Sequence, residues 1–222
     1  MVETSRTAAQ PAAARPVDLP KRINKALAKI SPWWIYGFGL VPAAWYFYLG
    51  AVNNLGANPI QTFEHILGEW ALRFLIATLV ITPLRDLTRI NLFRFRRAFG
   101  LLTFYYVLFH FLTYFILDRA MNLPVIAADI FKRPYIIVGM VAFLCLIALA
   151  VTSNNRAIRA MGRAWGQLHK LVYLIAVLGT VHFFMAVKSW PPRPFVYATL
   201  IGVLLGYRLV RYVRDQRRAV AA

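Results

Sequence analysis

The chain has 222 residues, of which 60% are hydrophobic and 15% aromatic, and its mean hydropathy is +0.56. This composition excludes an ordinary soluble domain and is typical of a protein that crosses a membrane several times. The net charge is +18, but the basic residues cluster between apolar runs, so membrane topology explains them better than a nucleic-acid partner does. The single cysteine, Cys145, excludes an internal disulfide and a cysteine-ligated cluster.

The chain order predicts one membrane domain between two basic tails. Residues 1–31 carry six Lys or Arg residues but no apolar core, so they are not a cleavable signal peptide. We interpret them as a disordered cytoplasmic tail with a short surface helix near Ile23–Ile30. Residues 213–222 are a second basic cytoplasmic tail, and nothing indicates a second domain. The domain 32–212 contains six apolar segments, each near the roughly 20 residues that a spanning helix needs: about 32–52, 68–84, 99–117, 134–152, 168–187 and 194–212.

Arg73 and Pro83 interrupt the second segment, which makes it the weakest of the six. Arg73 follows Glu69 by four residues, so the two side chains share a helix face and Arg73 can reach the outer interface. An interfacial anchor is the simpler interpretation of Arg73. The alternative is a contact to a haem propionate.

Lys and Arg residues in the connections predict the orientation of the bundle. One side holds six in the N-terminal tail, five in 85–98, three in 153–167 and five from Arg208 to Arg218. The other side holds none in 53–67, three in 118–133 and two in 188–193. Because positive residues favour the inner side of a membrane, both termini should be cytoplasmic.

Two histidines lie inside apolar segments, His110 in the third and His182 in the fifth. An ionisable group there is costly to insert and is usually functional. Counted from the cytoplasmic ends of the two segments, the histidines lie at nearly equal depth in the outer half of the membrane. Imidazole is a common ligand of haem iron, so the pair predicts a haem b between the third and fifth helices. The alternative is that each histidine hydrogen-bonds to a neighbouring helix as a packing element.

The remaining two histidines give weaker signals. His169 lies at the cytoplasmic end of the fifth segment, roughly 20 Å along the axis from His182. Its possible roles are an alternate axial ligand, a flavin or quinone contact, or a plain interfacial histidine. A second haem would need a partner near position 97, which is Arg97, so a ladder of two bis-histidine haems is not supported. His65 is expected in an outer loop just before the second helix.

Two further motifs carry weak signals. Arg94, Arg96 and Arg97 lie at the cytoplasmic start of the third segment. They are expected to satisfy topology and lipid headgroups, or alternatively to bind the phosphate of a flavin mononucleotide. Gly202 and Gly206 form a small-residue motif that would allow close packing of the last helix.

Several stretches together resemble the haem-binding membrane subunits of bacterial protein-methionine-sulfoxide reductase systems, in the ferric-reductase-like transmembrane group. The resemblance runs from about residue 33 to 212 and its motifs show no clear departure from the pattern. The stretches that carry it are 70–73, 82–85, 97–114, 132–140, 149–154, 165–173 and 182–188.

The resemblance implies a six-helix inner-membrane protein that binds haem b and flavin mononucleotide (FMN). It implies electron transfer from membrane quinol to a periplasmic molybdopterin reductase, which repairs methionine sulfoxide in proteins and forms a heterodimer with the subunit. His110, His169 and His182 match the family's haem-related histidines, and His110 with His182 is also the pair that depth selects. The flavin residues cannot be assigned from the sequence.

Two other functions compete with this prediction. A stand-alone metal reductase would reduce ferric chelates at the outer face without a protein partner. A non-redox helical scaffold or transporter would contain no pigment, but transporters usually show interrupted helices or internal symmetry, and neither is convincing here. No catalytic residues are predicted in this chain. Because it is also expected to lack a soluble flavin or nicotinamide domain, electrons must enter from one molecule and leave to another.

Overall fold

A computed structural model describes residues 18–187, 189 and 191–221 of the chain. All regular structure in these residues is helical, which confirms the predicted all-α class. The α-helices of the described residues, in chain order, are α1 (Leu19–Lys29), α2 (Pro32–Ala51), α3 (Pro59–Thr88), α4 (Arg96–Leu112), α5 (Leu123–Lys132), α6 (Pro134–Val151), α7 (Asn155–Met161), α8 (Arg163–Leu168), α9 (Leu171–Ala186) and α10 (Pro192–Ala221). A 3₁₀ turn (Phe93–Phe95) precedes α4, and a π-helical turn (Thr113–Asp118) continues it.

The described residues contain five stretches that are long and apolar enough to cross a membrane, one fewer than the six predicted. These stretches are Pro59–Thr88, Phe93–Asp118, Pro134–Val151, Arg163–Ala186 and Pro192–Val220. The first predicted segment does form a helix, the 20-residue α2. It falls short in mean hydropathy because Trp, Tyr, Pro and Gly occupy eleven of its 20 positions.

Several predicted connections are more ordered than the sequence pattern indicated. Helix α3 begins at Pro59, because proline is pre-set for the first helical position; Asn58 precedes it at the N-cap without a side-chain capping bond. His65 therefore lies on a helix, and its assignment to a loop was wrong. The outer connection 118–133 contains α5, and the connection 153–167 contains α7 and α8.

The two tails are also partly helical. Helix α1 confirms the short surface helix expected near Ile23–Ile30, and the side chain of Asp18 caps it by accepting from the backbone N–H of Lys21. Helix α10 continues to Ala221, through most of the predicted C-terminal tail. Residues 1–17, where disorder was predicted, lie outside the described residues.

The core consists of two antiparallel helix pairs, α3 with α4 and α6 with α9. Helix α3 takes part in both hydrophobic clusters of the molecule. Its residues Leu72, Leu75 and Leu79 pack against α6, α9 and α10, while Phe74 and Ala71 pack against α2 and α4. The start of α3 thus lies beside the end of α4, and the start of α6 beside the end of α9.

A tyrosine hydroxyl repairs the helix ladder of α2 next to its internal proline, Pro42. The Tyr106 hydroxyl donates to the Gly39 carbonyl at 2.7 Å and accepts from the Ala43 N–H at 3.0 Å. It therefore occupies the place of the direct bond between these two backbone groups, so neither is left unpaired. Tyr106 is fully buried, and this contact fixes α2 against α4.

The glycine pair in the last helix does not mark a close helix contact. A Cβ atom added to Gly202 or Gly206 would meet no described atom within 4 Å. The prediction of close packing at this motif was wrong. Close approaches occur instead at Gly68 and Gly139, which lie beside the two intramembrane histidines.

Candidate functional site

The structure brings His110 of α4 and His182 of α9 together. Their ring centroids are 6.1 Å apart, and their ring planes are perpendicular. The two residues are 72 positions apart in the chain, and equal depth in the membrane was the sequence argument for pairing them. The packing of the two helix pairs therefore creates a site that needs one histidine from each pair.

Each histidine ring is oriented by a backbone carbonyl of the helix it packs against. His110 Nδ1 lies 2.9 Å from the Glu64 carbonyl oxygen of α3, and His182 Nδ1 lies 2.7 Å from the Tyr135 carbonyl oxygen of α6. A carbonyl can only accept, so in both neutral rings Nδ1 carries the proton and donates it. Nε2 of each ring is then unprotonated, which is the form that binds a metal.

A glycine one turn after each accepting carbonyl makes room for the histidine ring. A Cβ atom at Gly139 would lie 2.7 Å from His182 Nδ1 and 2.8 Å from its Cε1, closer than real side chains approach. A Cβ atom at Gly68 would lie 3.4 Å from His110 Nδ1, at the edge of ordinary contact. The same local arrangement therefore occurs twice, and it is tighter at His182.

Neither these glycines nor the residues with the accepting carbonyls, Glu64 and Tyr135, were predicted from the sequence. The available signal was a glycine inside an apolar helix, four residues after the accepting residue. Gly68 follows Glu64 and Gly139 follows Tyr135 at this spacing. Residues four positions apart lie on the same face of a helix, so the accepting carbonyl and the glycine both face the histidine ring.

The two histidines line a cavity between the helix pairs. Its empty space, including the part open to solvent, totals about 1530 Å³. Aliphatic and aromatic side chains line its deep part, among them Leu72, Leu75, Leu146 and Ile175, which are all buried. Polar residues gather at its other end, where the lining includes Gln61, Glu64, His65, Tyr114, Asp118 and Arg133.

Two of these polar residues, Glu64 and His65, lie in the second turn of α3. His65, expected in a loop, contributes to the cavity from the second turn of α3. The Glu64 carboxylate lies 3.9 Å from His110 Nε2, which is too long for a hydrogen bond. Nε2 of His110 is therefore not held by that carboxylate.

His169 lies apart from this pair, between α8 and α9. Its Nδ1 is 3.0 Å from the carbonyl of Trp165, one turn earlier in its own segment, and its ring stacks on the Trp165 indole at 3.9 Å between centroids. Its Nε2 is 3.5 Å from the Ser153 hydroxyl. His169 does not belong to the lining of the histidine cavity.

Arg73 and Glu69 form the pair that their spacing predicts. Arg73 bonds to the Glu69 carboxylate at 3.2 Å and to the Tyr197 hydroxyl at 2.9 Å, and its guanidinium lies over the Trp70 ring. Glu69 also binds Arg193 at 3.0 Å. These contacts link α3 to the start of α10, and Arg73 does not line the histidine cavity.

The arginine cluster at the start of α4 makes most of its contacts with other parts of the protein. Arg94 donates to the carbonyls of Leu27 and Ala28 at the end of α1, and Arg97 donates to Asn155 Oδ1 at 2.8 Å. The Arg96 guanidinium lies 6.0 Å from the centroid of the Phe93 ring. The three side chains therefore point to different neighbours.

The histidine pair fits a haem better than a metal ion alone. Among the described residues, no group of three or more His, Cys, Asp or Glu side chains could hold a metal. A haem brings its own four nitrogen ligands and needs only two from the protein. The ring centroids are 6.1 Å apart and imidazole–metal bonds are about 2 Å long, so the two Nε2 atoms could hold one iron between them.

The fold and the site describe a helical membrane protein with a pair of facing histidines between its helices. Residues 67–180, about half of the chain, match the family described as the ferric reductase like transmembrane component. The chain belongs to this family and is a multi-pass membrane protein.

Curated relatives narrow the family further. The chain is 55% identical over 189 residues to the "Protein-methionine-sulfoxide reductase heme-binding subunit MsrQ" of Brucella ovis, of Brucella canis and of Brucella suis. Each match covers 85% of this chain and 86% of the relative. The resemblance seen in the sequence motifs is thereby confirmed, and the chain belongs to the same family as these subunits.

Proposed function

We propose that this chain is the membrane electron-transfer subunit of a two-component methionine-sulfoxide reductase system. It takes electrons from membrane quinol and delivers them through haem b to a periplasmic molybdopterin-dependent reductase, which repairs oxidised methionine residues in proteins. The single observation that carries the proposal is the His110–His182 pair, with both Nδ1 atoms bonded to carbonyls. The names of the relatives support the haem and the reductase partner.

The proposed topology is six crossings of a bacterial inner membrane with both termini in the cytoplasm. Helix α2 has 20 residues and is about 30 Å long at the usual rise, which matches the hydrocarbon core despite its lower hydropathy. The excess of Lys and Arg in the tails and in 85–98 supports the orientation. The histidine pair then lies in the outer half of the membrane, near the periplasmic partner.

The chain's own residues hold and insulate the cofactor in this proposal. His110 and His182 would hold the haem iron through their Nε2 atoms, and the bonds of their Nδ1 atoms to Glu64 and Tyr135 keep both rings in the neutral, ligating tautomer. When bound, haem would supply an iron centre that accepts and releases single electrons. Held by a histidine from each helix pair, it would serve electron transfer rather than oxygen binding.

The outer face offers a docking surface for the reductase. Helix α5 lies in the outer connection 118–133 and presents Phe131, which is 88% exposed. The buried Asp129 carboxylate binds Arg119 and Arg133, which fixes this helix against the ends of α4 and α6. Exposed aromatic residues on a rigid element are common anchors of protein interfaces. Lys188, in the predicted outer connection 188–193, lies outside the described residues.

FMN and His169 are proposed to lie at the cytoplasmic end of the helical bundle. Family resemblance supports FMN, and Arg96 is the cation of the cluster that remains for its phosphate, since Arg94 and Arg97 bond to backbone and side-chain oxygens. His169, stacked on Trp165, is proposed as a haem- or flavin-related residue at this end. The isolated chain is proposed to have no sulfoxide reductase activity of its own.

Reoxidation of the reduced protein tests this function. The purified full chain in nanodiscs is reduced with a quinol analogue, and its absorbance is followed after addition of the periplasmic reductase and a methionine-sulfoxide peptide. We expect rapid reoxidation only when both additions are present. Equally rapid reoxidation by ferric citrate alone would favour a stand-alone metal reductase. A colourless protein after growth with ample haem would favour a non-redox scaffold.

A further inference from the structure

Helix α1 lies at the level where two membrane-crossing helices end. The Asn24 amide donates to the Arg89 carbonyl at 2.9 Å and accepts from the Asn91 N–H at 2.8 Å. Arg94 caps the other end of α1 through the carbonyls of Leu27 and Ala28. Residues 89–92 connect the candidate spans Pro59–Thr88 and Phe93–Asp118, so these bonds hold α1 at a membrane edge.

The sequence of α1 separates charge from apolar surface around the helix. Lys21, Arg22, Lys25 and Lys29 share one face, all exposed. Leu19, Ile23, Ala26 and Ile30 share another face at the i, i+4, i+7 and i+11 spacing. Of the four cations, Lys21 pairs with Asp18 at 2.8 Å, and the other three form no ion pair with any described residue.

The apolar face of α1 is only half covered by the protein. Ile23 and Leu27 are partly buried on the side that carries Asn24. Leu19 is 62% exposed, Ile30 is 41% exposed, and Ala26 is also exposed. An isolated apolar strip of this kind beside a cationic face is the pattern of a helix that lies in a membrane interface.

Two tryptophans continue this surface into the next helix. Trp33 is 78% and Trp34 62% exposed at the start of α2, which follows α1 after the capping residue Ser31. Tryptophan favours the headgroup level of a bilayer, because its ring is apolar and its N–H is polar. The apolar edge of α1 and these two rings are therefore suited to the same depth.

We infer that α1 is an in-plane membrane helix that recognises anionic phospholipids. Leu19, Ala26 and Ile30 insert among the upper acyl chains, while Arg22, Lys25 and Lys29, which form no ion pair with a described residue, bind the phosphates of the headgroups. Basic residues at this level are attracted to an anionic leaflet, and the attraction adds up over the cluster. The inference requires that α3 and α4 cross the membrane, but it does not depend on haem or on the reductase partner.

Depth measurements on α1 test its orientation. Single cysteines are introduced at Lys25, Ala26, Lys29 or Ile30 in a Cys145→Ser background and labelled with a fluorophore in nanodiscs of the full chain. We expect nitroxide lipids spin-labelled near the headgroup to quench labels at 26 and 30, and aqueous iodide to quench labels at 25 and 29. Equal access of iodide to all four labels would overturn the inference.

Lipid composition tests the recognition of charge. Quenching of the label at 26 by nitroxide lipid should be stronger in phosphatidylglycerol than in phosphatidylcholine nanodiscs. Arg22→Gln, Lys25→Gln and Lys29→Gln together should abolish this difference. Arg214→Gln, Arg217→Gln and Arg218→Gln, which remove the same charge from the end of α10, are the matched control and should preserve it. Equal quenching in both lipids for the parent protein, or a loss that occurs equally in the control, would overturn the recognition of anionic headgroups. An unchanged haem spectrum in all variants keeps this test separate from the proposed function.

Discussion

Two histidines of one helical segment, His182 and His169, show how neighbours decide what an imidazole can do. Both hold Nδ1 within 3.0 Å of a backbone carbonyl. The carbonyl that orients His182 belongs to a different helix, α6, and the ring faces His110 across a cavity. The carbonyl that orients His169 belongs to its own preceding turn, and the ring lies flat on Trp165. Packing between helices therefore creates the paired site, whereas contacts within its own segment arrange His169.

The strongest way to break the paired site without removing a ligand is to fill the space beside His182. Gly139→Ala places a methyl group 2.7 Å from the unmodified position of His182 Nδ1, so the ring must turn away from the Tyr135 carbonyl. We expect about 10- to 100-fold weaker haem binding, as is typical when the partner of a metal-bound imidazole is lost. Haem titration of the purified protein measures this change.

Two other glycines serve as graded controls for that experiment. Gly202→Ala adds a methyl group that meets no described atom within 4 Å, so haem binding should remain that of the parent. Gly68→Ala should have an intermediate effect, because its methyl group would lie 3.4 Å from His110 Nδ1. Equal effects of all three substitutions would contradict a specific role of the glycine contacts.

A second prediction separates the outer face from the paired site. Asp129→Asn removes the charge that binds Arg119 and Arg133, and it should lower the free energy of unfolding by about 1–3 kcal/mol. Loosening of α5 should slow electron transfer to the reductase while the haem content is unchanged. Thermal unfolding and stopped-flow reoxidation measure the two effects. Transfer at the parental rate despite lower stability would exclude α5 from the docking surface.

A third prediction concerns the contact of α4 with α2, one turn before the site. Tyr106 lies one turn before His110, but its hydroxyl repairs α2 beside Pro42. Tyr106→Phe removes two buried hydrogen bonds and should lower stability by about 1–2 kcal/mol. The haem spectrum should not change, because the Glu64 carbonyl still holds His110. A shifted haem spectrum in a folded Tyr106→Phe protein would mean that the α2 contact of Tyr106 and the position of His110 are coupled.

The smallest effect on the paired site is expected from replacement of His169. His169→Ala removes the ring stacked on Trp165, and none of its contacts reaches the cavity of His110 and His182. The spectrum of a haem bound by His110 and His182 should therefore be retained. Loss of that signal would show that His169 acts as a ligand of the same haem.

The sequence was sufficient for the parts of the fold that depend on hydropathy and local caps. It predicted the all-α class, and it selected His110 and His182 as a pair from depth alone. The start of α3 was missed because Gln61, Thr62 and Glu64 lower the hydropathy of its first turns, although Asn58 and Pro59 signal a helix start. An apolar window therefore located His65 in a loop.

Other features could not be predicted because they depend on which helices meet. Gly68 and Gly139 are ordinary glycines until the faces of α4 and α9 are known, whereas the Gly202 and Gly206 spacing is visible in the sequence, and a Cβ atom at either would meet no described atom within 4 Å. The hydroxyl of Tyr106 beside Pro42 likewise requires the relative position of α2 and α4. Hydropathy gives the depth of a residue in the membrane, but not its neighbours.

The reduced-minus-oxidised spectrum tests the central claim most directly, when recorded for the parent protein and for His110→Ala, His182→Ala and His169→Ala. The account predicts a low-spin b-type signal in the parent that is lost in the first two variants and retained in the third. A parent without pigment, or a signal that survives replacement of His110 or His182, would contradict the claim that these two histidines together bind a haem.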